Sequence, residues 1–218
     1  MQPKYGPRAI KHLKKVDRLL TKTIEAVGPF RPNMVPDRFP ALAYSIISQQ
    51  ISIKAAASIR QKVLDLLAPQ PLSPLAILKQ RFDDLRSAGL SKAKATYLLD
   101  LADKVHSKQV VLDDLHQVED EQVIANLIQV KGIGRWTAEM FLIFSLGRPN
   151  VLPVDDLGLK AAVRKLYRLP ELPTKAELKE MGAAWNPYCS VATWYLWQSL
   201  KLESKPAQAA QPKRASRR

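Results

Sequence analysis

The chain has 218 residues, 46% of them hydrophobic, which suffices for one large domain or two smaller lobes that share a core. No apolar run is long enough to span a bilayer, and the basic N-terminus lacks the apolar segment of a secretory signal, so an intracellular location is expected. The one cysteine, Cys189, excludes an intramolecular disulfide and a four-cysteine zinc or iron–sulfur site.

The formal net charge of +14 bears on partners more than on fold. A nucleic acid is the first choice, because each phosphate that a protein cation neutralises releases condensed counterions. The alternative is a basic surface without a function. Five of the positive charges lie in an Ala/Gln/Pro/Ser-rich tail, residues 204–218, which we expect to be disordered. Without the tail a net charge of +9 remains, so the basic character belongs to the folded part as well.

Apolar residues at helical spacing predict an all-α protein of about ten helices. The first is a single amphipathic helix over residues 8–27, and a bend at residues 48–52 separates the next two, with Ser52 as a candidate N-cap. Thr174 and Glu177 form a candidate capping box. The one plausible strand is short and isolated, at residues 110–112. Further helices are expected over residues 75–81, 82–88, 92–105, 119–130, 135–146, 157–167 and from Asn186 to about 202.

A tight Lys131-Gly132-Ile133-Gly134 turn joins two of these helices. The backbone N–H groups of such a turn and of the first turn of the following helix have no internal acceptor, so the hairpin is a candidate phosphate site. The alternative is an ordinary turn with glycines at a helix end. Further on, Asp155 and Asp156 stand at the start of another helix. An aspartate there often only caps the helix, and we expect one of the two to do so while the other reacts.

These features together resemble the helix-hairpin-helix DNA glycosylases, and most closely their 3-methyladenine DNA glycosylase II (AlkA/Mag) branch. The resemblance covers roughly residues 35–202. It is carried by five motifs: Ile-Ile-Ser-Gln-Gln-Ile-Ser at 46–52, the hairpin, Gly-Arg-Trp-Thr-Ala at 134–138, Pro-Val-Asp-Asp at 153–156, and Trp-Asn-Pro-Tyr at 185–188 followed by Trp197.

This resemblance implies a two-lobed helical fold without an iron–sulfur cluster. Residues 41–149 would form the lobe that contains the hairpin. Residues 1–40 and 150–203 would pack together as the other lobe, and the cleft between the lobes would hold the site.

The resemblance also assigns catalysis to Asp156, whose carboxylate would stabilise the positive charge that develops on the sugar as an N-glycosidic bond breaks. Trp136, Trp197, Met140 and Leu157 fall where the family has walls of its base pocket. An aromatic pocket suits an alkylated purine, because aromatic faces attract its positive charge. For any one tryptophan the alternative is core packing, which we expect for Trp185 and Trp194.

By the same resemblance, Lys131, Gly132, Ile133 and Gly134 would hold a DNA phosphate, and a Na⁺ or K⁺ ion would sit at the carbonyls of Val130 and Gly132 when DNA is bound. No other cofactor and no catalytic metal are expected, because the histidines lack metal-ligand spacing. Gln50 takes the place of the residue that plugs the gap left by an extruded base. The alternative for Gln49 and Gln50 is a pair of amides that cap backbone groups inside the bend.

Trp136 stands where bifunctional relatives carry a lysine that forms a Schiff base with the sugar. An indole cannot do so, and the resemblance therefore implies a monofunctional, hydrolytic glycosylase without lyase activity. The expected enzyme is a monomer that excises alkylated purines from double-stranded DNA, with 3-methyladenine as the main substrate and 7-methylguanine and others as further candidates. It would act in the cytoplasm, nucleoid or nucleus, with no membrane partner. The alternatives are a glycosylase of the same fold for another damaged base, and a non-catalytic DNA-binding protein.

Overall fold

The computed structural model describes residues 3–203, and the predicted disordered basic tail at 204–218 lies outside them. The described chain contains twelve α-helices, one short 3-10 helix and no strand, which confirms the all-α prediction with two more helices than expected. The helices are α1 Gly6–Val16, α2 Arg18–Val27, α3 Arg38–Ser48, α4 Ile53–Leu67, α5 Pro74–Leu78, α6 Phe82–Ser87, α7 Lys92–His106, the 3-10 helix Leu115–Gln117, α8 Asp120–Leu127, α9 Arg135–Phe144, α10 Leu157–Tyr167, α11 Lys175–Ala183 and α12 Cys189–Glu203.

The prediction of one helix over residues 8–27 is wrong, because Asp17 divides it into α1 and α2. Asp17 has an extended backbone, and its Oδ1 accepts a hydrogen bond of 2.8 Å from the N–H of Leu20, so it caps α2. Its Oδ2 accepts from the hydroxyl of Tyr167 and, at 2.9 Å, from the indole N–H of Trp185. The break therefore ties the N-terminal helices to α10 and to the segment before α12.

The one plausible strand, at residues 110–112, does not form. The side-chain amide of Asn126 serves Val111 in place of a neighbouring strand: it accepts from the Val111 N–H at 3.3 Å and donates to the Val111 carbonyl at 2.8 Å. Once an amide satisfies these backbone groups, an extended segment needs no ladder partner.

Both predicted helix caps are confirmed. The hydroxyl of Ser52 accepts from the N–H of Ala55 at 3.2 Å at the start of α4. Thr174 and Glu177 exchange the two bonds of a capping box at the start of α11. These bonds satisfy N–H groups that a helix leaves without partners in its first turn.

Two groups of buried apolar side chains hold the helices together. One lies among α3 to α9, from Phe39 to Val151, and the other lies among α1, α2 and α10 to α12. Phe144, at the end of α9, packs against both groups. The assignment of two lobes with the boundaries given above stays a prediction. None of the helices in the described range combines the length and the apolar character needed to cross a membrane.

Candidate active site

A cavity of about 690 Å³ lies where α9, α10 and α12 meet, next to the side chain of Phe144 that joins the two apolar groups. It brings together residues that are far apart in the sequence, and aromatic rings make up much of its wall. Its lining consists of Arg31, Asn33, Trp136, Met140, Phe144, Asp156, Trp194, Trp197, Gln198, Leu200 and Lys201.

Asp156 supplies the one carboxylate among the described residues that line this cavity. Its side chain is buried, with 8% of its surface exposed, and three N–H groups donate to it. Oδ2 accepts from the indole of Trp136 at 2.7 Å. Oδ1 accepts from the indole of Trp197 at 2.8 Å and from the backbone N–H of Leu159. All three partners are N–H donors, so the carboxylate acts as the acceptor in each of these bonds.

The expectation that one aspartate caps the helix while the other reacts divides the roles wrongly, because the capping aspartate is the one that faces the cavity. Asp156 is itself the N-cap of α10, through the bond from Leu159, and it also faces the cavity. Asp155 is exposed and pairs with Lys175 at 2.7 Å outside the cavity. The hydrogen bond from Lys175 holds the pKa of Asp155 below its usual value. Asp155 therefore has a partner of its own and no place at the site.

Three tryptophans border the cavity in different ways. Trp136, in the first turn of α9, is 46% exposed, so part of its ring is open to solvent. The ring of Trp197 stacks on that of Phe144, with 6.0 Å between centroids and 24° between planes. Trp194, expected in the core, is buried but also lines the cavity, and its ring meets that of Phe30 edge-on at 5.1 Å. Sequence spacing could not separate core packing from cavity lining, because a ring at the edge of the core does both.

The remaining two predicted wall residues differ in position. Met140 lines the cavity one turn after Trp136 on α9. Leu157 is 71% exposed at the first position of α10 and does not line the cavity. The reason is geometric: Asp156 turns inward to cap α10, and the next residue along the helix then points away from it.

The two glycines of the hairpin meet different surroundings. Gly132 has φ +80°, and a Cβ there would lie 2.1 Å from the ring of Tyr97, so both the backbone and the packing require glycine. Gly134 has an ordinary φ of −96°, and a Cβ there would meet nothing within 4 Å. Nothing in the described chain excludes a side chain at Gly134, which leaves the space beside it open to a ligand. Neither glycine N–H donates to a carbonyl within the described residues.

Side chains from α7 support the hairpin. The carboxylate of Asp100 accepts from the backbone N–H of Lys131 at 2.8 Å and from the ammonium of Lys104 at 2.9 Å. Burial acts to raise the pKa of Asp100, but these hydrogen bonds and the nearby positive charges outweigh it, so the pKa lies below its usual value. Lys104 also donates to the carbonyl of Gln129 at 2.6 Å. The sequence offered no local signal for this support, since the partners lie 25 to 31 positions away.

The carbonyls predicted to hold a monovalent cation already accept hydrogen bonds within the chain. The oxygen of Val130 accepts from the N–H of Ile133 at 3.0 Å, and that of Gly132 accepts from the side-chain amide of Gln49 at 2.8 Å. A carbonyl oxygen has two lone pairs, so each keeps one that suits Na⁺ or K⁺. The residues therefore fit such an ion, and the cation site stays a prediction.

The bend between α3 and α4 separates the two glutamines by role. Gln49 is the amide that caps a backbone group, across to the hairpin carbonyl of Gly132. Gln50 is exposed, at the tip of the bend, with φ +55°. The alternative of a pair of capping amides therefore holds for Gln49, and Gln50 is left facing solvent beside the hairpin.

Comparison with known proteins gives one consistent result. The family model described as "HhH-GPD superfamily base excision DNA repair protein" matches residues 43–187. DNA-3-methyladenine glycosylase 1 of Schizosaccharomyces pombe is 35% identical over 197 residues, which are 88% of this chain and 86% of that protein. The solved structure of S. pombe 3-methyladenine DNA glycosylase with abasic DNA aligns with a TM-score of 0.79 at 33% identity, over 91% of this chain and 99% of that one. A DNA-3-methyladenine glycosidase from Bacillus halodurans aligns with a TM-score of 0.81 at 37% identity, over 90% of each chain.

Proposed function

Because this chain belongs to the HhH-GPD superfamily of base excision DNA repair proteins, we propose that it is a DNA glycosylase that hydrolyses alkylated purines from DNA. The observation that carries the proposal is Asp156, a buried carboxylate held by two indole N–H groups in an aromatic cavity. The relatives named 3-methyladenine glycosylases make 3-methyladenine the first substrate to test. We expect the enzyme to act as a monomer on double-stranded DNA inside the cell.

The cavity suits a cationic base better than a neutral one. Alkylation at N3 or N7 leaves a purine positively charged, and the face of an indole attracts a cation by roughly 0.5–2 kcal/mol. Trp136 and Trp197 would contribute such faces, with Met140 as an apolar wall between them and the core. The positive charge also weakens the bond to the sugar. The enzyme then needs no general acid for the leaving group, which agrees with a cavity in which Asp156 is the one acid among the described lining residues.

The reaction follows from the position of Asp156. When the N-glycosidic bond breaks, its electron pair leaves with the purine and neutralises it, and the sugar gains oxocarbenium character. The fixed carboxylate stabilises that charge without having to reorganise. Water then adds to the sugar carbon and loses its proton to the carboxylate or to solvent, which leaves an abasic site.

The hairpin would hold the strand that carries the damaged base. The free N–H groups around Gly132 and Gly134, the open space beside Gly134 and the exposed Lys131 suit a backbone phosphate. Gln50, exposed next to the hairpin, would fill the gap in the duplex once the base has turned out.

We further propose that the enzyme lacks lyase activity. A lyase needs an amine that attacks the sugar carbon and forms a Schiff base. Trp136 stands in the hairpin helix where such an amine would be required, and its indole nitrogen donates to Asp156. The finer assignment to the type II branch, with its broad range of methylated purines, rests on this apolar and aromatic cavity.

The test is to incubate the enzyme with DNA treated with a methylating agent and to measure the free purines by chromatography. The wild type should release 3-methyladenine, and Asp156→Asn should lower the rate by about 100-fold or more, the usual effect of removing a preorganised charge. DNA affinity should remain. If the wild type binds DNA and releases no methylated base, the protein is a non-catalytic DNA-binding protein instead.

A further inference from the structure

The backbone of the bend that carries Gln50 is only weakly held by hydrogen bonds within the bend itself. It spans the four residues between Ser48, the last residue of α3, and Ile53, the first of α4. Gln50 is held at φ +55°, a conformation that residues other than glycine adopt at a cost of about 1 kcal/mol or more. The hydrogen bond from the Gln49 N–H to the carbonyl of Ile46 is long, at 3.4 Å. A bend of this kind keeps one shape only if neighbouring elements hold it.

Lys94 supplies that support from the first turn of α7. Its ammonium donates to the carbonyl of Ile47 at 2.8 Å and to the carbonyl of Gln49 at 2.6 Å. The carbonyls at the end of a helix lack partners within the helix and carry its partial negative charge, so a cation fits there well. The side chain is partly buried, and this burial lowers the pKa of Lys94.

The same bend is fixed to the hairpin. The amide of Gln49, whose carbonyl Lys94 holds, donates to the carbonyl of Gly132 at 2.8 Å. Tyr97, one turn after Lys94 on α7, packs against the same glycine. α7 therefore sets the position of the bend relative to the hairpin, and Lys94 is the contact that acts on the bend itself.

We propose that Lys94 is the positioning residue for Gln50 as the wedge of base extrusion. Lys94 points inward to two carbonyls, so it acts through the shape of the bend and not through a contact with DNA. The inference rests on the proposed function, since a wedge has a role only where a base leaves the duplex. Lys94 would thus support the shape of the bend and would not bind a DNA phosphate.

The experiment compares Lys94→Met with Lys92→Met. Both variants lose one positive charge from α7 and keep an unbranched side chain, but Lys92 is exposed, and the ammonium that donates to the carbonyls of the bend is that of Lys94. The readouts are the rate constant for 3-methyladenine release in a single turnover at saturating enzyme, and the fluorescence of 2-aminopurine placed beside the lesion, which reports base extrusion. We expect Lys94→Met to lower the rate constant and the fluorescence change each by about tenfold, because two hydrogen bonds from a charged donor are lost. Lys92→Met should stay within about twofold of the wild type in both readouts.

A double-mutant cycle with Gln50→Ala separates positioning from general stabilisation. If Lys94 acts through Gln50, Lys94→Met should lower the rate by no more than about twofold once Gln50→Ala is present. An equal loss in both backgrounds, no loss from Lys94→Met, or no loss from Gln50→Ala would each overturn the proposal. Lys94→Arg keeps a cationic donor and should retain most of the activity, which provides a test if the methionine variant does not fold.

The wild-type arm distinguishes this inference from the function on which it rests. A wild type that releases no methylated purine would overturn both. A wild type that releases the base and depends on Gln50, combined with a Lys94→Met variant of full activity, would overturn the role of Lys94 alone.

Discussion

Replacing Trp197 with phenylalanine tests whether the indole N–H matters for catalysis apart from the ring. The substitution keeps an aromatic face beside Phe144 but removes the donor that lies 2.8 Å from Oδ1 of Asp156. A hydrogen bond to a charged group contributes about 1.5–3 kcal/mol. With 8% of Asp156 exposed, water can replace the lost donor only in part.

The expected cost is a 10- to 100-fold lower rate of base release in a single turnover at saturating enzyme. A factor of ten in rate corresponds to about 1.4 kcal/mol in the activation free energy. The hydrogen bond from Trp197 lowers that barrier only to the extent that it holds the carboxylate where the transition state needs it. Affinity for DNA with an abasic site should change little, because the hairpin contacts remain.

Trp185→Phe is the matched control. Trp185 also donates from its indole to an aspartate, at 2.9 Å to Asp17, but Trp185 lies in the core and neither residue lines the cavity. Its loss should lower the melting temperature and leave the rate of base release unchanged. If Trp197→Phe is as active as the wild type, or if both variants lose activity equally, the assignment of Trp197 to the support of Asp156 is wrong.

Three further predictions follow from the hairpin and its support. Gly132→Ala should lower the melting temperature in thermal unfolding, because its Cβ would meet the ring of Tyr97 at 2.1 Å. Gly134→Ala should fold normally and weaken DNA binding in a titration, because its Cβ would occupy the space left for a phosphate. The reverse pattern would contradict a phosphate site beside Gly134. Trp136→Lys should become trapped on abasic DNA by borohydride, seen as a slower band on a denaturing gel, and wild-type trapping would refute the absence of lyase activity. Burial acts to raise the pKa of Asp100, but its hydrogen bonds and the nearby lysines outweigh burial, so the pKa in the folded protein lies below that in the unfolded chain. The ionised Asp100 therefore stabilises the fold above the unfolded pKa, and this stabilisation is lost as the pH falls through the folded pKa. Asp100→Asn should therefore lower stability at neutral pH and flatten its decline in acid, measured by urea unfolding; an unchanged pH profile would contradict this.

Features that depend on a few adjacent residues were predictable from the sequence. The caps at Ser52 and Thr174 use side-chain oxygens that accept from backbone N–H groups three residues later, and the glycines of the hairpin mark a turn whatever surrounds them. The all-α class follows from apolar spacing over many turns. The break at Asp17 escaped prediction because the apolar stripe continues in register on both sides of it, and only the cap reveals two helices.

The supports of the site were not predictable, because they join distant parts of the chain. Lys94 reaches carbonyls 45 and 47 positions earlier, and Gln49 reaches a carbonyl 83 positions later. No local pattern distinguishes a lysine that points inward from one in solvent. The family resemblance supplied candidate residues for the cavity, but it could not state that Leu157 turns outward or that Trp194 joins the wall.

The number of donors around Asp156 limits which oxygen can take part in the reaction. Each carboxylate oxygen has two lone-pair sites. Oδ1 uses both, for the Leu159 N–H that caps α10 and for the indole of Trp197, whereas Oδ2 uses one, for the indole of Trp136. Oδ2 is therefore the oxygen that can still accept a proton from water or face the developing charge on the sugar. Trp136 donates to that oxygen, lines the cavity and is itself 46% exposed, so we expect its ring to be the first of the lining indoles that an incoming base meets.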